Sequence, residues 1–385
     1  MMKNLLKRNK IMALLVTYSG IFLFKIIQKF VKIQENRILF VSFAGKQFSD
    51  SPKAIYEKLK DNDKSLELVW AFVEPNKVKM DVGCKVKINS LSYLIELAKS
   101  KYWLSNASIE RLIPFKSGAH VYINTWHGTP LKKLGKDDKK SDFLVKNWYE
   151  KADIDYFTVS SDYDFEIFKE VFPQIKHFIK GGLPRNEILY KAKDDAILEK
   201  GIRNKIEKLF NLDKNKKTIL YAPTFRDTRK LTEKFDQILN NDKFNKLSEK
   251  YNIIFRGHYF KESSNSNNMI DVSNYSDINE LFISADILIT DYSSVMFDFS
   301  ILNKKIILFT PDYDEYVQER GFYVKPQALK LPIFYEISDL FGYLTSKNLK
   351  LNTDDTLEFG HHYNMYPFTS LEEIIKLIEK KKRLL

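Results

Sequence analysis

One histidine stands where a strand-like pattern is broken by glycine and proline. The segment reads INTWHGTPLKKLGKDDKK, and its histidine, His127, is followed by Gly128 and Pro130. Glycine and proline end a strand, so His127 is predicted to lie at a strand-to-loop corner, where open α/β sheets place their chemistry. An imidazole with a pKa near ~6.5 can accept a proton from an attacking hydroxyl at neutral pH. His127 is therefore a candidate general base, the alternative being a histidine that merely packs beside Trp126.

Lysines crowd the residues after this corner. Lys132 and Lys133 would favour bound phosphates, whereas the run that continues to Lys140 also contains Asp137 and Asp138. A run of mixed charge is by default a solvated loop. We therefore expect anion contacts from Lys132 and Lys133 and solvent around the later lysines.

A strand followed by hydroxyl residues is the clearest signal in the second half, ADILITDYSSVMFDFSILNKKIILF. The pattern predicts a strand that ends at Thr290, a turn at Asp291, and a helix opened by Ser293 and Ser294. Hydroxyls and backbone N–H groups at a helix start can hold a phosphate. Plain N-capping by Asp291 or Ser293 explains the same residues equally well.

Three further polar loops of the second half follow predicted strands: YAPTFRD, FRGHY and TPDYDEYVQERGFY. Because loops after parallel strands share one edge of a sheet, their polar side chains are expected to converge on one crevice. Taken singly, each arginine is also explained as a surface ion-pair partner and the histidine as a structural one. The convergent set is expected to be Thr224, Arg226, His258, Ser293, Ser294 and Arg320.

The sequence contains no recognised metal or cofactor motif. Cys84 is the one cysteine, which excludes an intrachain disulfide framework and suits a reducing cytoplasmic location. Asp291 and Asp298 could ligate a divalent ion, but neither has a clear carboxylate partner in sequence, so we expect no required metal. The glycine fingerprint of a dinucleotide site and the P-loop are both missing from the sequence, and no cofactor is expected.

Two series of parallel βαβ units are predicted to position these residues. Short apolar runs alternate with helical periodicity after residue 34, and the glycine- and proline-rich GGLPRNEIL separates the two series. The predicted strands are 38–43, 66–72, 102–105, 121–125, 155–159 and 177–180, then 218–221, 251–255, 286–290 and 305–309. The fold is therefore α/β, with doubly wound domains at 34–185 and 186–370 and a basic helix at 371–385.

Residues 1–33 differ from the rest of the chain. An uncharged apolar stretch at 11–24 has basic flanks, and a helix of this length reaches about 21 Å, short of a hydrocarbon core of about 30 Å. A small-residue cleavage site does not follow, so no removable signal peptide is expected. A helix lying in the interface of an anionic membrane fits best, with a short span and a helix packed on the protein as alternatives.

The net charge also points to an anionic partner. With 62 Lys and Arg against 50 Asp and Glu, the formal charge of +12 suits a membrane surface, a nucleic acid or a phosphorylated substrate. The charge is spread along the chain and no nucleic-acid-binding motif is present, so nucleic acid is not an expected partner.

Five motifs, in order, resemble those of the CDP-glycerol glycerophosphotransferases that build teichoic acids and related bacterial glycerol- or ribitol-phosphate polymers. They are NTWHGTPLKKLG, GLPRN, YAPTFRD, TDYSSVMFDFSIL and FTPDYDEYVQERGFY, and the resemblance spans residues 37–380. It implies a GT-B architecture, with two Rossmann-like domains facing a cleft. It also implies transfer of glycerol phosphate from CDP-glycerol to an acceptor hydroxyl, with release of CMP, in teichoic acid or capsular polymer synthesis.

The resemblance further implies residue roles. His127 would be the general base, while His258 and Arg320 would neutralise the pyrophosphate as CMP leaves. Ser293 and Ser294 would hold phosphate at the helix start. The expected substrate-binding set is Thr224, Arg226, Asp291, Ser293, Ser294, Arg320, Gly128 and Lys132.

The partners follow from the same resemblance. The chain's size favours a primase-like enzyme, because polymerases of the family often carry an additional N-terminal domain. The acceptor would be an undecaprenyl-diphosphate-linked saccharide at the cytoplasmic face of the bacterial cell membrane, with residues 1–33 as the tether. CDP-ribitol as donor, or a GT-B glycosyltransferase using a nucleotide sugar, are the alternatives.

Overall fold

The chain divides into two compact units. A computed structural model describes residues 10–109, 116–224, 242–257, 269–319, 321–346 and 353–382. Unit 1 contains the described residues of Met1–His127, Leu134–Glu187 and Tyr366–Leu385, and unit 2 those of Gly128–Lys133 and Ile188–Met365. Both units are discontinuous in sequence, whereas the sequence analysis assigned each domain one continuous range.

Unit 1 is built on a parallel sheet of seven described strands. They are β1 (Gln34–Val41), β2 (Glu67–Phe72), β3 (Cys84–Lys87), β4 (Ser100–Ser105), β5 (Val121–Asn124), β6 (Tyr156–Val159) and β7 (His177–Lys180). Their order across the sheet is β3-β2-β1-β4-β5-β6-β7. The chain moves outward from β1 to β3 and resumes at β4 on the other side of β1, so the switch point of the topology lies between β1 and β4.

Unit 2 repeats this plan with six described strands. They are β8 (Lys217–Tyr221), β9 (Tyr251–Phe255), β10 (Ile270–Asp271), β11 (Ile287–Thr290), β12 (Lys305–Phe309) and β13 (Ile333–Phe334). The order is β10-β9-β8-β11-β12-β13, and the neighbouring strands are parallel. The switch point of this sheet therefore lies between β8 and β11.

Helices connect the strands, as parallel neighbours require. In chain order they are α1 (Lys10–Phe30), α2 (Asp50–Asn62), α3 (Leu91–Lys99), α4 (Phe143–Lys151), α5 (Asp162–Val171), α6 (Glu187–Asp194), α7 (Ala196–Phe210), α8 (Asp242–Lys250), α9 (Ile278–Ser284), α10 (Val295–Phe299), α11 (Tyr313–Glu319), α12 (Ile337–Thr345), α13 (Asp354–Tyr363) and α14 (Ser370–Lys382). Ser90 caps α3, since its side chain accepts a hydrogen bond from the Tyr93 N–H.

The last helix belongs to the core of unit 1. Leu371, Ile374 and Ile378 of α14 are buried in the same apolar cluster as Phe40 of β1 and Trp70 of β2. Residues 371–385 were predicted to be a separate basic helix, because the lysines obscure an apolar stripe at helical spacing. Burial of that stripe returns the chain to the first sheet after it has completed the second.

Helix α1 is longer than the apolar stretch that predicted it. It has 21 residues, about 32 Å at the usual rise, because lysine is a good helix former and the helix continues through Lys25 and Lys29. By length and composition, Ile11–Phe30 could cross a membrane. One face is buried through Ala13, Thr17 and Phe24 against unit 1. The expectation of a helix too short to span is therefore corrected, and the alternative of packing on the protein holds for one face.

Candidate active site

The corner that carries His127 follows the end of β5 in unit 1. The strand ends at Asn124, Trp126 has φ 52° and Gly128 has φ 146°. Two positive φ values so close together turn the chain sharply, and the half-buried His127 lies between them. The predicted strand-to-loop corner is thus present at the carboxyl edge of the sheet.

Aromatic packing of Trp126 stabilises the corner. Its side chain is buried and contacts the aromatic rings of Trp148 in α4 and Phe168 in α5. Left-handed backbone costs a residue other than glycine about 1–2 kcal/mol, which burial of an indole offsets. The His127 ring lies 4.4 Å from the Trp126 ring, centroid to centroid, so His127 packs beside Trp126 and is still partly exposed.

A backbone carbonyl sets the tautomer of His127. The Nδ1 atom of the imidazole lies 2.6 Å from the Asn106 carbonyl oxygen, directly after β4. A carbonyl oxygen only accepts hydrogen bonds, so Nδ1 carries a proton, and in the neutral imidazole the lone pair is therefore on Nε2. This is the form of histidine that a general base requires.

Asn106 lies at the switch point of the first sheet and also reaches the loop after β1. Its side-chain carbonyl oxygen accepts a hydrogen bond from the Phe43 N–H at 2.8 Å. Phe43 and Ala44 both have positive φ, and the Phe43 ring lies 5.7 Å from the His127 ring. The sequence patterns did not single out Asn106, although it directly follows a predicted strand.

A side chain at the switch point of the second sheet makes a hydrogen bond equivalent to that of Asn106. Asp291, directly after β11, accepts a hydrogen bond from the Thr224 N–H, in the loop after β8, at 2.8 Å. The same carboxylate oxygen accepts from the Tyr292 N–H. Thr224 and Asp291, predicted from their strand-end positions, are therefore joined by a direct hydrogen bond.

This bonding corrects the capping interpretation of Asp291. The carboxylate binds the loop after β8 and its own neighbour, whereas the cap residue of α10 is Ser294, whose side chain makes no capping hydrogen bond. Ser293 Oγ lies 3.5 Å from the Val295 N–H, at the limit of a hydrogen bond. Both serines are half-buried beside Asp291, so the predicted hydroxyl pair is at the expected edge.

Lys132 lies in unit 2, not in a loop of unit 1. It forms an antiparallel bridge with Phe322, and its ammonium lies 3.3 Å from the Tyr316 hydroxyl. The Tyr316 ring stacks on Tyr292 at 4.0 Å, and the Tyr292 hydroxyl donates to Asp312, just after β12, at 3.1 Å. Lys132 therefore belongs to the same edge as Asp291, while Lys133 is exposed.

Some predicted residues cannot be placed in this way. Arg226, His258 and Arg320 lie outside the described residues. Asp298 is buried in α10, where burial and the Asp298 charge raise the pKa of Tyr190 to about 12. Within the described ranges, no three His, Cys, Asp or Glu side chains are grouped so that they could hold a metal ion.

Comparisons with known proteins point to one chemistry. Residues 23–370 match the family model of CDP-glycerol:poly(glycerophosphate) glycerophosphotransferase. The chain is 37% identical over 312 residues to a teichoic acid poly(glycerol phosphate) polymerase of Bacillus spizizenii, covering 75% of this chain and 77% of that protein. It is 33% identical over 349 residues to a teichoic acid glycerol-phosphate transferase of Staphylococcus aureus, covering 84% and 85%.

A solved structure gives the same result for the fold. The wall teichoic acid polymerase TagF, in a crystal soaked with CDPG, superposes with a TM-score of 0.82 and 32% identity over 94% of this chain and 93% of that chain. The prediction of a GT-B fold with two parallel α/β sheets is thereby confirmed.

Proposed function

Because the chain belongs to the CDP-glycerol:poly(glycerophosphate) glycerophosphotransferase family, we infer that it transfers glycerol phosphate from CDP-glycerol to an acceptor hydroxyl in teichoic acid synthesis. The hydroxyl oxygen forms a bond to the β-phosphorus of the donor. The bond from that phosphorus to the bridging oxygen breaks, and CMP leaves with the bridging oxygen. The hydroxyl proton passes to a base, and the charge that gathers on the phosphoryl oxygens must be neutralised.

His127 is the base in this proposal. The observation that supports it most strongly is the 2.6 Å contact between Nδ1 and the Asn106 carbonyl, because it leaves the lone pair on Nε2. Nε2 takes the acceptor proton as the new oxygen–phosphorus bond forms, and Nδ1 remains bonded to the carbonyl. A base held in one orientation before substrate arrives contributes about 10²–10⁴-fold to the rate.

The edge of unit 2 at Asp291 holds the donor phosphates. Ser293 and Ser294 offer half-buried hydroxyls there, Thr224 is bonded to Asp291 through its backbone N–H, and Lys132 brings a cation to the same edge through Tyr316. Positioning and charge neutralisation are what phosphoryl transfer chiefly requires. The motif resemblance adds Arg226, His258 and Arg320 to this set. Gly128 follows the proposed base, His127, in sequence.

The acceptor is proposed to be an undecaprenyl-diphosphate-linked saccharide. The number of units added does not follow from the size of the chain, because a polymerase from Bacillus spizizenii is matched over 77% of its own length. The size argument for a primase is therefore withdrawn. Glycerol is favoured over ribitol by the names of the relatives at 37% and 33% identity.

The site of action is proposed to be the cytoplasmic face of the cell membrane, where a lipid-linked acceptor would be presented. Helix α1 supports this location, because its unburied face exposes Ile11, Leu15, Tyr18 and Phe22 at helical spacing. Exposed apolar rows with flanking lysines suit an anionic interface.

Product analysis tests the reaction. The full chain is given CDP-glycerol or CDP-ribitol with a lipid-linked saccharide, and nucleotide and lipid products are resolved by mass. We expect CMP and a product heavier by one or more glycerol phosphates with CDP-glycerol, and little product with CDP-ribitol. Release of a nucleoside diphosphate from a nucleotide sugar would show a glycosyltransferase and contradict the proposal.

Replacement of His127 tests the base. His127→Ala should lose about 10²–10⁴-fold in turnover, and CDP-glycerol binding, measured by calorimetry, should persist. His177→Ala, at an exposed position in β7, is the matched control and should keep its turnover. Near-normal turnover of His127→Ala would remove the base assignment and leave the family reaction standing.

A further inference from the structure

We propose that Arg185 and Asp50 form a positioning pair that fixes the backbone of His127, and thereby the direction of its imidazole. The inference rests on the proposed role of His127 as the base. All the residues that carry it lie in unit 1. Neither Arg185 nor Asp50 was singled out by strand-end reasoning, although GLPRN, which contains Arg185, was among the motifs of the sequence.

Arg185 joins two loops that are far apart in sequence. One guanidinium nitrogen pairs with the Asp50 carboxylate, at the start of α2. The other nitrogen, Nη2, donates to the His127 carbonyl oxygen at 3.1 Å. The backbone N–H of Arg185 lies 3.3 Å from the Ser51 hydroxyl. A single residue after β7 therefore holds both the loop after β1 and the corner after β5.

Stability alone does not account for the Arg185–Asp50 ion pair. Only 10% of the Arg185 side chain and 8% of the Asp50 side chain are exposed, and buried ion pairs often gain less from attraction than they lose by leaving water. Asp50 also has φ 66°, a left-handed conformation that a residue other than glycine adopts at a cost. Buried charge and backbone strain meeting beside a proposed base indicate a functional use.

That use is to complete the support of the imidazole. Asn106 holds the ring through Nδ1, which acts on the side chain and not on the peptide after His127. The bond from Arg185 to the His127 carbonyl fixes that peptide. Asp50 in turn keeps the guanidinium in place, because a charge-assisted hydrogen bond from one of its nitrogens to the carboxylate limits its rotation. Ring and backbone are then both held, and Nε2 keeps one direction.

The expected consequence is a loss of kcat without a loss of donor affinity. Displacement of a reacting group by about 1 Å can cost roughly a hundredfold in rate. The proposed donor contacts at Asp291 and Lys132 lie in the other unit, so KM for CDP-glycerol should change little. We expect kcat to fall about tenfold to a hundredfold in Asp50→Asn and in Arg185→Gln.

The variants are chosen to separate positioning from folding. Asparagine tolerates left-handed backbone, so Asp50→Asn removes the charge and keeps the conformation. Arg185→Lys keeps a cation for Asp50 and loses the second arm to His127. The control is Glu96→Gln, which breaks another buried pair of unit 1, Arg37 with Glu96 at 2.7 Å, with side chains 10% and 13% exposed.

The experiment measures kcat, KM for CDP-glycerol and Tm for each variant and for Asp50→Asn combined with Arg185→Gln. We expect Glu96→Gln to have a lower Tm and an unchanged kcat. Arg185→Lys should have a lower kcat, with a decrease in kcat larger than its decrease in Tm accounts for. The kcat of the double variant should be no lower than that of the slower single variant, because both substitutions disrupt the same positioning pair.

Three results would overturn the inference. These are additive losses in the double variant, an equal loss of kcat in Glu96→Gln, or unchanged kcat in both single variants. Failure of the inference is distinguishable from failure of the proposed base: if His127→Ala is inactive and the Arg185 and Asp50 variants are not, only the positioning pair is refuted. If His127→Ala is active, the base itself is refuted.

Discussion

At the scale of single residues, one polar side chain closes the switch point of each sheet. Asn106 accepts from the loop after β1, and Asp291 accepts from the loop after β8. At such a point two neighbouring strands send their connections in opposite directions, which leaves backbone N–H groups facing a crevice. A short side chain that accepts one of them ties the loop after one strand to the loop after its neighbour.

Gly128 offers a test of the corner at this scale. Its φ of 146° lies in a region that only glycine occupies readily, and forcing another residue into it costs about 1–3 kcal/mol. We expect Gly128→Ala to lower the free energy of unfolding by that amount and to reduce turnover, because His127 is its neighbour. Urea titration and CMP release measure the two effects.

The matched control is Gly118→Ala. A Cβ at Gly118 would meet no atom within 4 Å, so both quantities should stay near the wild-type values. If Gly128→Ala behaves like this control, the backbone of the corner is not required to be glycine.

At the scale of elements, helix α1 is attached to unit 1 by an aromatic contact and a hydrogen bond. Phe24 packs on Trp103 with ring centroids 6.1 Å apart. Gln28 Nε2 lies 3.1 Å from His120 Nε2, and His120 Nδ1 lies 2.8 Å from the Ser100 carbonyl. With its Nδ1 proton on that carbonyl, His120 accepts from Gln28 only when it is neutral.

Acidification should therefore weaken unit 1. Burial lowers the pKa of His120 from 6.5 to about 4. A lowered pKa means that the stabilising effect is present above pH 6.5 and is lost as the pH falls towards 4, since the unfolded chain binds the proton first. Between pH 7 and pH 5 the free energy of unfolding should drop by about 2 kcal/mol from this group.

Denaturant titration at the two pH values measures this drop. His120→Gln should remove that part of the pH dependence, whereas His177→Gln, at an exposed position in β7, should retain it. An unchanged pH dependence in His120→Gln would show that another group is responsible.

At the scale of elements, the strands also show how much of the fold the sequence could predict. Every predicted strand is present, and β7, β9 and β12 have the predicted bounds, because buried parallel strands are short apolar runs. The missed strands have a different pattern. β3 is largely exposed at the edge of its sheet, and β10 and β13 have two residues each, so none carries a readable apolar run.

The candidate site residues fall into two groups. The position of one group follows from the strand that precedes each residue, and the position of the other depends on the order of the strands in the sheet. His127, Thr224 and Asp291 were predicted because each lies in the loop that follows a strand. Asp50 and Arg185 were missed because their role depends on which loops become neighbours, which strand order decides. Lys132 was assigned to the wrong unit, because backbone pairing of Leu131 and Lys133 with Tyr323 and Gly321 leaves no trace in the side-chain pattern.

At the scale of the whole molecule, the outward face of α1 is the proposed contact with a membrane. Ile11, Leu15, Tyr18 and Phe22 are each 62–70% exposed, and their spacing places them on one side of the helix. Lys25 and Lys29 continue the helix at the end nearer β1. The other face packs on unit 1, so we expect α1 to meet an interface lying flat, with unit 1 attached.

This arrangement predicts binding to anionic vesicles that survives high salt in part. Salt screens the lysines, whereas the apolar row contributes about 1.5–3 kcal/mol for each buried large side chain. Leu15→Ser combined with Phe22→Ser should therefore weaken vesicle binding at least about tenfold at any salt concentration. Sedimentation with vesicles of defined anionic content measures the bound fraction.

The control exploits a second exposed apolar pair. Ile197 and Leu209 of α7 are 86% and 56% exposed, so Ile197→Ser combined with Leu209→Ser changes surface hydrophobicity by a comparable amount in unit 2. Binding by this control should match the wild type. Equal loss in both double variants would show nonspecific adsorption, and no loss in the α1 variant would remove α1 as the membrane contact. Deleting residues 1–33 is a poorer test, because it would also uncover Trp103 and His120, which α1 covers in unit 1.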